Sequence, residues 1–192
     1  MRITGGEFGG RNLKVPKSDL IRPTQDRVRE ALFNILQFEV PGAAFLDLFA
    51  GSGAVGLEAL SRGAKSVTFV ERERRHLTVL KENLELLKVD TKARACEVIA
   101  ADAYAYLSRY TGPGFEIVFA DPPYALGEER GYVEVLKTLA ERGVVKAGGL
   151  FIAEMTASQS VEEVVGWELF RDRTYGKTRL CLWRKRPKYG II

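Results

Sequence analysis

Short apolar runs alternate with amphipathic segments along this chain, and that alternation constrains its fold more than any other feature. The apolar runs have the length and composition of buried strands. They lie at Ala44–Phe49, Ser66–Val70, Glu97–Ala100, Phe115–Ala120 and Gly149–Ala153. Strands that alternate with helices indicate an α/β fold, in which helices cover both faces of an open, mostly parallel sheet.

The segments between the runs have helical periodicity. Apolar side chains recur at three- and four-residue spacing, and Thr24 is a plausible N-cap for the first helix. Helices are predicted from Thr24 to Leu36, after the glycines near 53, along Leu77–Leu87, around Ala103–Arg109 and over Tyr132–Leu139. Near the C-terminus, Trp167–Phe170 and Thr178–Trp183 predict a β-hairpin around Tyr175-Gly176.

Length and composition predict one domain over residues 1–192. The hydrophobic fraction of 46% and the charged fraction of 28% are ordinary for globular proteins. Because the chain has no long apolar run and no signal-peptide pattern, we expect a cytoplasmic protein without a membrane segment. A single histidine, His76, and two distant cysteines predict neither a metal site nor a disulfide framework.

Positive charge is concentrated at the two ends of the chain. Residues 1–36 carry a net charge of +3 and residues 167–192 carry +6, whereas the stretch between them carries −5. Basic ends on an acidic core are typical of proteins that bind a polyanion. Two solvated basic termini are the alternative interpretation.

Asp121-Pro122-Pro123-Tyr124 follows the predicted strand Phe115–Ala120. Neither proline has an N–H to donate, so the strand must end there in a rigid turn. That turn combines a carboxylate, a fixed backbone carbonyl and an aromatic ring. These groups suit the recognition of a planar amino group, such as an exocyclic nitrogen of a nucleobase. The alternative is a capped loop with a packed tyrosine.

Three further candidate elements follow predicted strands. In Asp47–Gly56, glycines at 51 and 53 allow a sharp turn and close approach of a ligand. Glu71 lies about 20 residues further on, where Rossmann-like folds place an acid on ribose hydroxyls. Asp102 is placed for a hydrogen bond to an adenine amino group. Since the carboxyl ends of parallel strands share one edge of a sheet, these elements predict a pocket for an adenosine-containing cofactor.

Each element also has a plain structural explanation when taken alone. The glycines can form a turn without a ligand, Glu71 can belong to a solvated helix start, and Asp102 can be only an N-cap. A nicotinamide dinucleotide is the alternative cofactor. S-adenosylmethionine is favoured because Asp47 precedes the glycines, where a carboxylate suits an amine-bearing ligand, and because no Tyr-x-x-x-Lys pattern is apparent.

Together, Asp47–Gly56, Asp121–Tyr124 and Arg22–Leu36 resemble the RsmD family, bacterial methyltransferases that modify the exocyclic N2 of one guanine in 16S ribosomal RNA. The resemblance extends from Arg2–Gly6 to Tyr175–Thr178, and Arg22–Leu36 is its most specific part. It implies a Rossmann-like class I S-adenosylmethionine-dependent methyltransferase fold. That fold has a seven-stranded, mostly parallel sheet with an antiparallel last strand and a short N-terminal extension.

The resemblance also implies roles for individual residues. The catalytic residues are Asp121, Pro122, Pro123 and Tyr124. The residues that bind S-adenosyl-L-methionine are Asp47, Phe49, Ala50, Gly51, Ser52, Gly53, Glu71, Arg72, Asp102, Ala103 and Thr24. The residues that bind RNA are Arg11, Lys14, Lys17, Arg22, Arg27 and Arg29. Residues 1–21 are expected to form a flexible basic extension, and residues 22–192 the catalytic core.

The expected partner is 16S rRNA within a small-subunit assembly particle, and the protein is expected to be a monomer. We expect direct in-line methyl transfer to a flipped guanine. Two other functions stay open at this point. A DNA adenine-N6 or cytosine-N4 methyltransferase would share the pocket, and an RNA-binding protein without activity would keep the basic ends.

Overall fold

The computed structural model describes residues 1–16, 26–92, 96–122 and 132–187. Helices and strands alternate through most of these residues, as the sequence predicts. In chain order they are α1 (Asp26–Ile35), β1 (Ala44–Leu48), α2 (Ala54–Ser61), β2 (Ser66–Glu71), α3 (Arg74–Leu86), β3 (Cys96–Ala100), α4 (Ala103–Arg109), β4 (Phe115–Ala120), α5 (Tyr132–Glu141), β5 (Val145–Thr156), β6 (Trp167–Tyr175) and β7 (Thr178–Lys185).

The seven strands have the order β3-β2-β1-β4-β5-β7-β6. The pairs β1–β2, β2–β3 and β4–β5 are parallel. Strand β7 is antiparallel to both β5 and β6. The predicted fold class, a Rossmann-like methyltransferase fold with an antiparallel last strand in a mostly parallel sheet, is therefore confirmed.

The buried strands are nearly continuous apolar runs. All residues of β2 after its first are buried, and β4 has a single half-buried position. Parallel strands that are covered on both faces have continuous apolar sequences, because neither face contacts water. This is why the sequence alone located these strands to within a residue.

The contacts of the chain group into two compact units, Met1–Ala103 and Tyr104–Ile192. The first unit contains the glycine-rich segment and the strands β1 to β3. The second contains β4 and the strands that follow it. A single domain over residues 1–192 stays a prediction.

The described part of the N-terminal segment, residues 1–16, is packed rather than extended into solvent. Ile3, Phe8 and Leu13 are buried, and the backbone pairs with itself through an antiparallel bridge between Arg2 and Asn12. This differs from the flexible extension predicted for residues 1–21. The glycines of the segment form tight turns against the protein instead of a mobile arm.

Gly6 explains why the N-terminal segment needs glycine. Its φ is +75°, and a Cβ at this position would lie 2.0 Å from the backbone oxygen of Ser61. The amide of Glu7 also donates to that oxygen at 2.7 Å. The segment therefore approaches the end of α2 too closely for any side chain.

Strand β5 begins at Val145, four residues before the predicted start at Gly149. Between Val145 and Leu150 the pairing with β4 shifts register, and Gly148 has a φ of +75°. The glycines hence mark an irregularity inside the strand rather than its beginning. Such interruptions are typical positions for strand glycine.

Within the described ranges, none of the helices is both long enough and apolar enough to cross a bilayer.

Candidate active site

Glu71, the last residue of β2, connects the ends of three neighbouring strands. Its Oε2 accepts a hydrogen bond from the amide of Gly51 at 2.7 Å, and its Oε1 accepts from the amides of Arg72 and Glu73, each at 2.8 Å. Its backbone carbonyl accepts from Ala101 at 3.1 Å. The glycine-rich turn after β1 and the loop after β3 are thus both bonded to this residue.

The turn after β1 needs unusual backbone conformations. Phe49, Gly51 and Gly53 have φ values of 61°, 56° and 83°. The turn begins where the amide of Ala50 donates to the carbonyl of Val70 at 3.0 Å. Left-handed conformations cost little only for glycine, so Gly51 and Gly53 adopt two of these three conformations at little cost, whereas Phe49 adopts the third despite its Cβ.

Two glycines at the start of α2 are also required by close packing. A Cβ on Gly53 would lie 2.2 Å from Cδ1 of Leu80, and one on Gly56 would lie 2.3 Å from Cε1 of Phe69. Gly51 differs, since no atom of the described residues lies within 4 Å of the position its Cβ would take. These residues therefore leave space beside Gly51, as a cofactor cradle requires.

Asp47 lies beneath this turn rather than on its surface. Its side chain is 2% exposed, and its Oδ2 accepts a hydrogen bond from the amide of Gly56 at 2.9 Å. Burial raises the pKa of the Asp47 carboxyl to about 7; the Gly56 hydrogen bond opposes the shift, and the charge of Glu71 adds to it. Asp47 therefore satisfies an amide of the first turn of α2, which has no side-chain cap at Gly53.

Arg72 and Asp102 lie together at the ends of β2 and β3. Nη1 of Arg72 is 3.4 Å from Oδ2 of Asp102, and both side chains are substantially exposed. Ala103, the next residue, is buried at the start of α4. The structure brings together Gly51, Glu71, Arg72 and Asp102, as the prediction of a cofactor pocket requires.

Asp121 and Pro122 directly follow β4 and are both half-buried. The predicted strand end at Ala120 is confirmed, and the Asp121 carboxyl stands at the carboxyl end of the strand. The other two predicted catalytic residues, Pro123 and Tyr124, lie outside the described residues. Thr24, Lys17 and Arg22 lie outside them as well.

Three of the predicted RNA-binding residues are exposed. Arg11 lies 5.7 Å from the ring centre of Phe8, measured from Cζ, and Nζ of Lys14 lies 3.0 Å from Oε2 of Glu82. Arg27 is exposed on α1. These side chains can reach a phosphate in solution, and their contact with RNA stays a prediction.

The prediction that Arg29 contacts RNA is wrong. Its side chain is completely buried, its Nε lies 3.2 Å from Oε2 of Glu58, and its Nη2 lies 3.0 Å from Oδ1 of Asp26. It also donates to the backbone carbonyl of Arg2. A guanidinium that is buried and bonded in this way cannot contact an RNA phosphate. Its position on α1 is a buried one, which helical spacing from Leu32 and Phe33 would have revealed.

Glu58 is a buried acid that the sequence interpretation missed. Its side chain is fully buried in α2 and accepts five hydrogen bonds. The donors are the amide and hydroxyl of Thr4, the amide of Gly5, Nε of Arg29 and Nε of Arg62, at 2.7 to 3.2 Å. A lone charge in the apolar helix sequence Ala54–Ser61 was a usable signal, because such a charge must be paired.

Asn83 is a second buried polar residue that connects segments. Its Oδ1 accepts from the amide of Lys14 at 2.8 Å, while its Nδ2 donates to the carbonyls of Lys14 and Ser52 at 3.1 and 3.0 Å. One amide side chain thus bonds the N-terminal segment and the glycine-rich turn. Nothing in the sequence distinguishes this asparagine from an ordinary polar residue of an amphipathic helix.

Known proteins share this fold and this sequence pattern. The sequence matches a family model described as "Conserved hypothetical protein 95" over residues 1–184. It is 38% identical to "Ribosomal RNA small subunit methyltransferase D" of Escherichia coli strain K12, over 96% of this chain and 90% of that protein. It is 36% identical to "Putative rRNA methyltransferase YlbH" of Bacillus subtilis strain 168, over 97% of this chain and 100% of that protein.

Solved structures of similar proteins have the same fold. "Putative methyltransferase yhhF from Escherichia coli" is 34% identical and has a TM-score of 0.84, covering 98% of this chain and 99% of that one. A more distant structure, "Crystal structure of SMU.776, a putative methyltransferase complexed with SAH", is 19% identical with a TM-score of 0.66, over 85% of this chain and 50% of that chain, and shows the fold alone. Since a family model and relatives of 36% and 38% identity span nearly the whole chain, the protein belongs to the RsmD family.

Proposed function

We propose that this protein methylates the exocyclic N2 of a guanine in small-subunit (16S) ribosomal RNA, by direct in-line transfer from S-adenosyl-L-methionine to a flipped base. The names of its relatives support rRNA methylation. The observation that carries the cofactor assignment is the position of Glu71. It is bonded to Gly51 and Ala101, and so joins the loops that would surround an adenosine.

The residues at this edge of the first unit fit S-adenosylmethionine. A carboxylate offers about four acceptor sites, and three backbone amides occupy three of them at Glu71. Nδ1 of His76 lies 3.6 Å from Oε2, beyond hydrogen-bond distance, so one site stays open to a ribose hydroxyl. Asp102 is exposed enough to accept from an adenine amino group. The amino end of α2 favours the negative carboxylate of the cofactor's amino-acid part.

Asp121 and the backbone carbonyl of Pro122 are proposed to accept hydrogen bonds from the two hydrogens of the guanine amino group. The lone pair of that nitrogen is delocalised into the ring, so the amino group is a poor nucleophile while it stays planar. Two acceptors at fixed positions favour the pyramidal form and localise the lone pair. S-adenosylmethionine, when bound, supplies the electrophilic methyl group and is left as S-adenosylhomocysteine. Asp121 is proposed to take up the proton that the methylated nitrogen releases. Tyr124 is proposed to stack on the flipped base.

The decisive experiment is methyl transfer to 16S rRNA from cells that lack this activity, offered free and in assembled particles, with nucleoside analysis of the product. N2-methylguanosine at one site is expected. N6-methyladenosine or N4-methylcytidine would retain the acceptor chemistry and overturn the substrate. Transfer to DNA in preference to RNA would favour the DNA methyltransferase alternative, and no transfer to either would overturn the proposal.

Asp121→Asn tests the role of the carboxylate. The expected turnover is lower by on the order of 100-fold, comparable to the loss of one preorganised hydrogen-bonding group at a reacting centre. Affinity for S-adenosylmethionine should change little, because the proposed cofactor residues belong to other strands. Glu141→Gln, the same change at an exposed acid of α5, is the control and should keep full activity. An equally active Asp121→Asn enzyme would remove Asp121 from the mechanism.

A further inference from the structure

The β6–β7 hairpin carries positive charge that the proposed active site does not use. Trp167–Pro187 contains seven basic residues and two acidic residues. Strand β6 is also the last strand in the sheet order, and most of its side chains are exposed or half-buried. The hairpin therefore presents a basic surface at one edge of the second unit.

One of these basic residues is neutralised within the hairpin. Nε of Arg179 lies 2.8 Å from Oδ1 of Asp172, and its Nη2 lies 2.5 Å from Oδ2. The Arg179 guanidinium holds the pKa of the Asp172 carboxyl below its usual range. Arg179 consequently stabilises the hairpin and does not serve as a free cation.

Three other cations of the hairpin remain available. Arg171, Arg173 and Lys177 are exposed, and among the residues that the structure describes no carboxylate oxygen lies within 4.0 Å of their charged nitrogens. Arg171 and Arg173 donate only to neighbouring backbone carbonyls, at 3.3 and 2.9 Å. We call these three residues the hairpin cations. Their charge is turned to solvent.

An aromatic ring lies among the arginines. The register of β6 shifts between Leu169 and Arg171, so Phe170 occupies a bulge and is half-buried. Cζ of Arg184 lies 5.1 Å from the ring centre of Phe170, and Cζ of Arg171 lies 5.8 Å from it. Bulges redirect side chains, and guanidinium groups held over a ring lose less freedom when they bind a phosphate.

The strand register places the hairpin cations at the catalytic end of the sheet. Arg173 pairs with Leu180, and Leu180 pairs with Glu154. Glu154 follows Ala153, which pairs with Ala120, the residue before Asp121. Arg173 is therefore level with Asp121 and three strand spacings away, or roughly 14 Å. The hairpin turn with Lys177 lies beyond it at the same end.

We propose that the hairpin cations bind the sugar-phosphate backbone of the RNA strand that flanks the target base. Exposed arginines beside a half-buried aromatic ring, at a distance of a few nucleotides from Asp121, match the charge and shape of such a strand. The inference rests on the proposed function, because it takes the flanking RNA as the occupant. It adds a second RNA contact, separate from the N-terminal basic residues.

The test compares Arg171→Gln/Arg173→Gln/Lys177→Gln with the wild-type chain, using a 16S rRNA transcript at 50 to 200 mM KCl. Each phosphate contact contributes about 0.7 to the slope of log K against log salt for single strands, so the variant's slope should be shallower by about 2. The wild-type affinity should then fall roughly 16-fold more than the variant's over this salt range. The kcat at saturating RNA should be unchanged, while KM for RNA rises.

A matched control is available in the same unit. Arg109→Gln/Lys137→Gln/Arg142→Gln removes two arginines and one lysine that are also exposed. Arg109 and Arg142 precede β4 and β5, at the end of the sheet opposite Asp121. This variant should keep the wild-type salt slope, because its two arginines lie at the end of the sheet away from the proposed path of the RNA and Lys137 lies on α5 outside the hairpin.

The outcomes separate the inference from the proposed function. Equal salt slopes for the wild type and the hairpin variant would overturn the inference. An equal reduction of the salt slope in both triple variants would also overturn it, since net charge alone would then account for the effect. If the triple hairpin variant does not fold, Lys177→Glu in the turn replaces it and should reduce the slope by more than 0.7. A wild-type chain that binds the transcript but methylates no RNA would refute the proposed function, while the slopes still decide the role of the hairpin.

Discussion

Replacement of Glu58 by glutamine tests how the N-terminal segment and α1 are held to α2. The buried carboxylate accepts hydrogen bonds from the Thr4 amide, the Gly5 amide, Arg29 and Arg62. Glutamine has the same size, but one of its two terminal groups is an NH₂ that would face N–H or O–H donors. The fully buried Arg29 would lose a charged partner.

The expected loss follows from burial. Removal of one member of a buried ion pair costs about 3–5 kcal/mol, because the remaining charge stays desolvated. Arg29 keeps Asp26 at 3.0 Å as a second partner, so the loss should lie toward the lower end of this range. Whole domains unfold with free energies of about 5–15 kcal/mol, so Glu58→Gln should remove a large part of the unfolding free energy of the first unit. For a chain of this length the melting temperature should fall by roughly 6–20 °C.

Urea unfolding followed by far-ultraviolet circular dichroism measures this loss. Tryptophan fluorescence is unsuitable as the sole probe, because Trp167 and Trp183 both lie within Tyr104–Ile192 and report on the other unit. Glu85→Gln, at an exposed position of α3, is the control and should change the unfolding free energy by less than about 0.5 kcal/mol.

Arg29→Met/Glu58→Gln removes both charges of the pair but keeps an acceptor oxygen for the Thr4 and Gly5 amides, so it should be less damaging than Glu58→Gln alone. A loss below about 1 kcal/mol for Glu58→Gln would refute this account of the buried pair. So would a double variant whose loss equals the sum of the two single losses.

Two further predictions concern the glycine-rich turn. Gly56→Ala should lower the free energy of unfolding in urea by about 1–3 kcal/mol, because its Cβ would lie 2.3 Å from Phe69 and 2.9 Å from Val67. Adding Phe69→Leu to this variant should recover part of the loss. A double variant whose loss equals the sum of the two single losses would contradict the clash. The pKa of Asp47 is raised to about 7 in the folded chain, so folding favours the protonated carboxyl, and the unfolding free energy should fall as pH rises from about 4 to about 7. Asp47→Asn should flatten this part of the pH profile, and parallel profiles for both proteins would exclude Asp47 as its source.

The sequence predicted the parts of the fold that depend on local pattern. β4 and α4 have the predicted bounds, and β1 and β2 differ from them by one residue each. Strong apolar runs that end at glycines, acids or prolines define such elements without tertiary information. The same reasoning placed Gly51, Glu71 and Asp102 at neighbouring strand ends, because parallel strands bring their carboxyl ends to one edge.

Residues whose role depends on distant partners were not predictable in this way. Arg29 looked like a surface cation because arginine is rarely buried, and only the presence of Glu58 on another helix makes its burial possible. Residues 1–16 looked flexible because they contain four glycines, yet two of them, Gly5 and Gly6, allow close approach to the end of α2. Local composition does not distinguish a glycine that loosens a chain from one that permits tight packing.

Three buried polar residues of the first unit hold the segments around the glycine-rich turn and α2 together. Asp47, Glu58 and Asn83 each bond to backbone or side-chain groups of another segment, and two of them bond directly to α2 or the turn that precedes it. A turn fixed by such bonds loses little freedom when it binds a ligand, which lowers the entropic cost of binding. Changes at these three residues should therefore reduce stability and cofactor affinity together. A change at Asp121, which follows a different strand, should reduce turnover without either effect, and this difference separates the residues that hold the site from the residue that acts on the substrate.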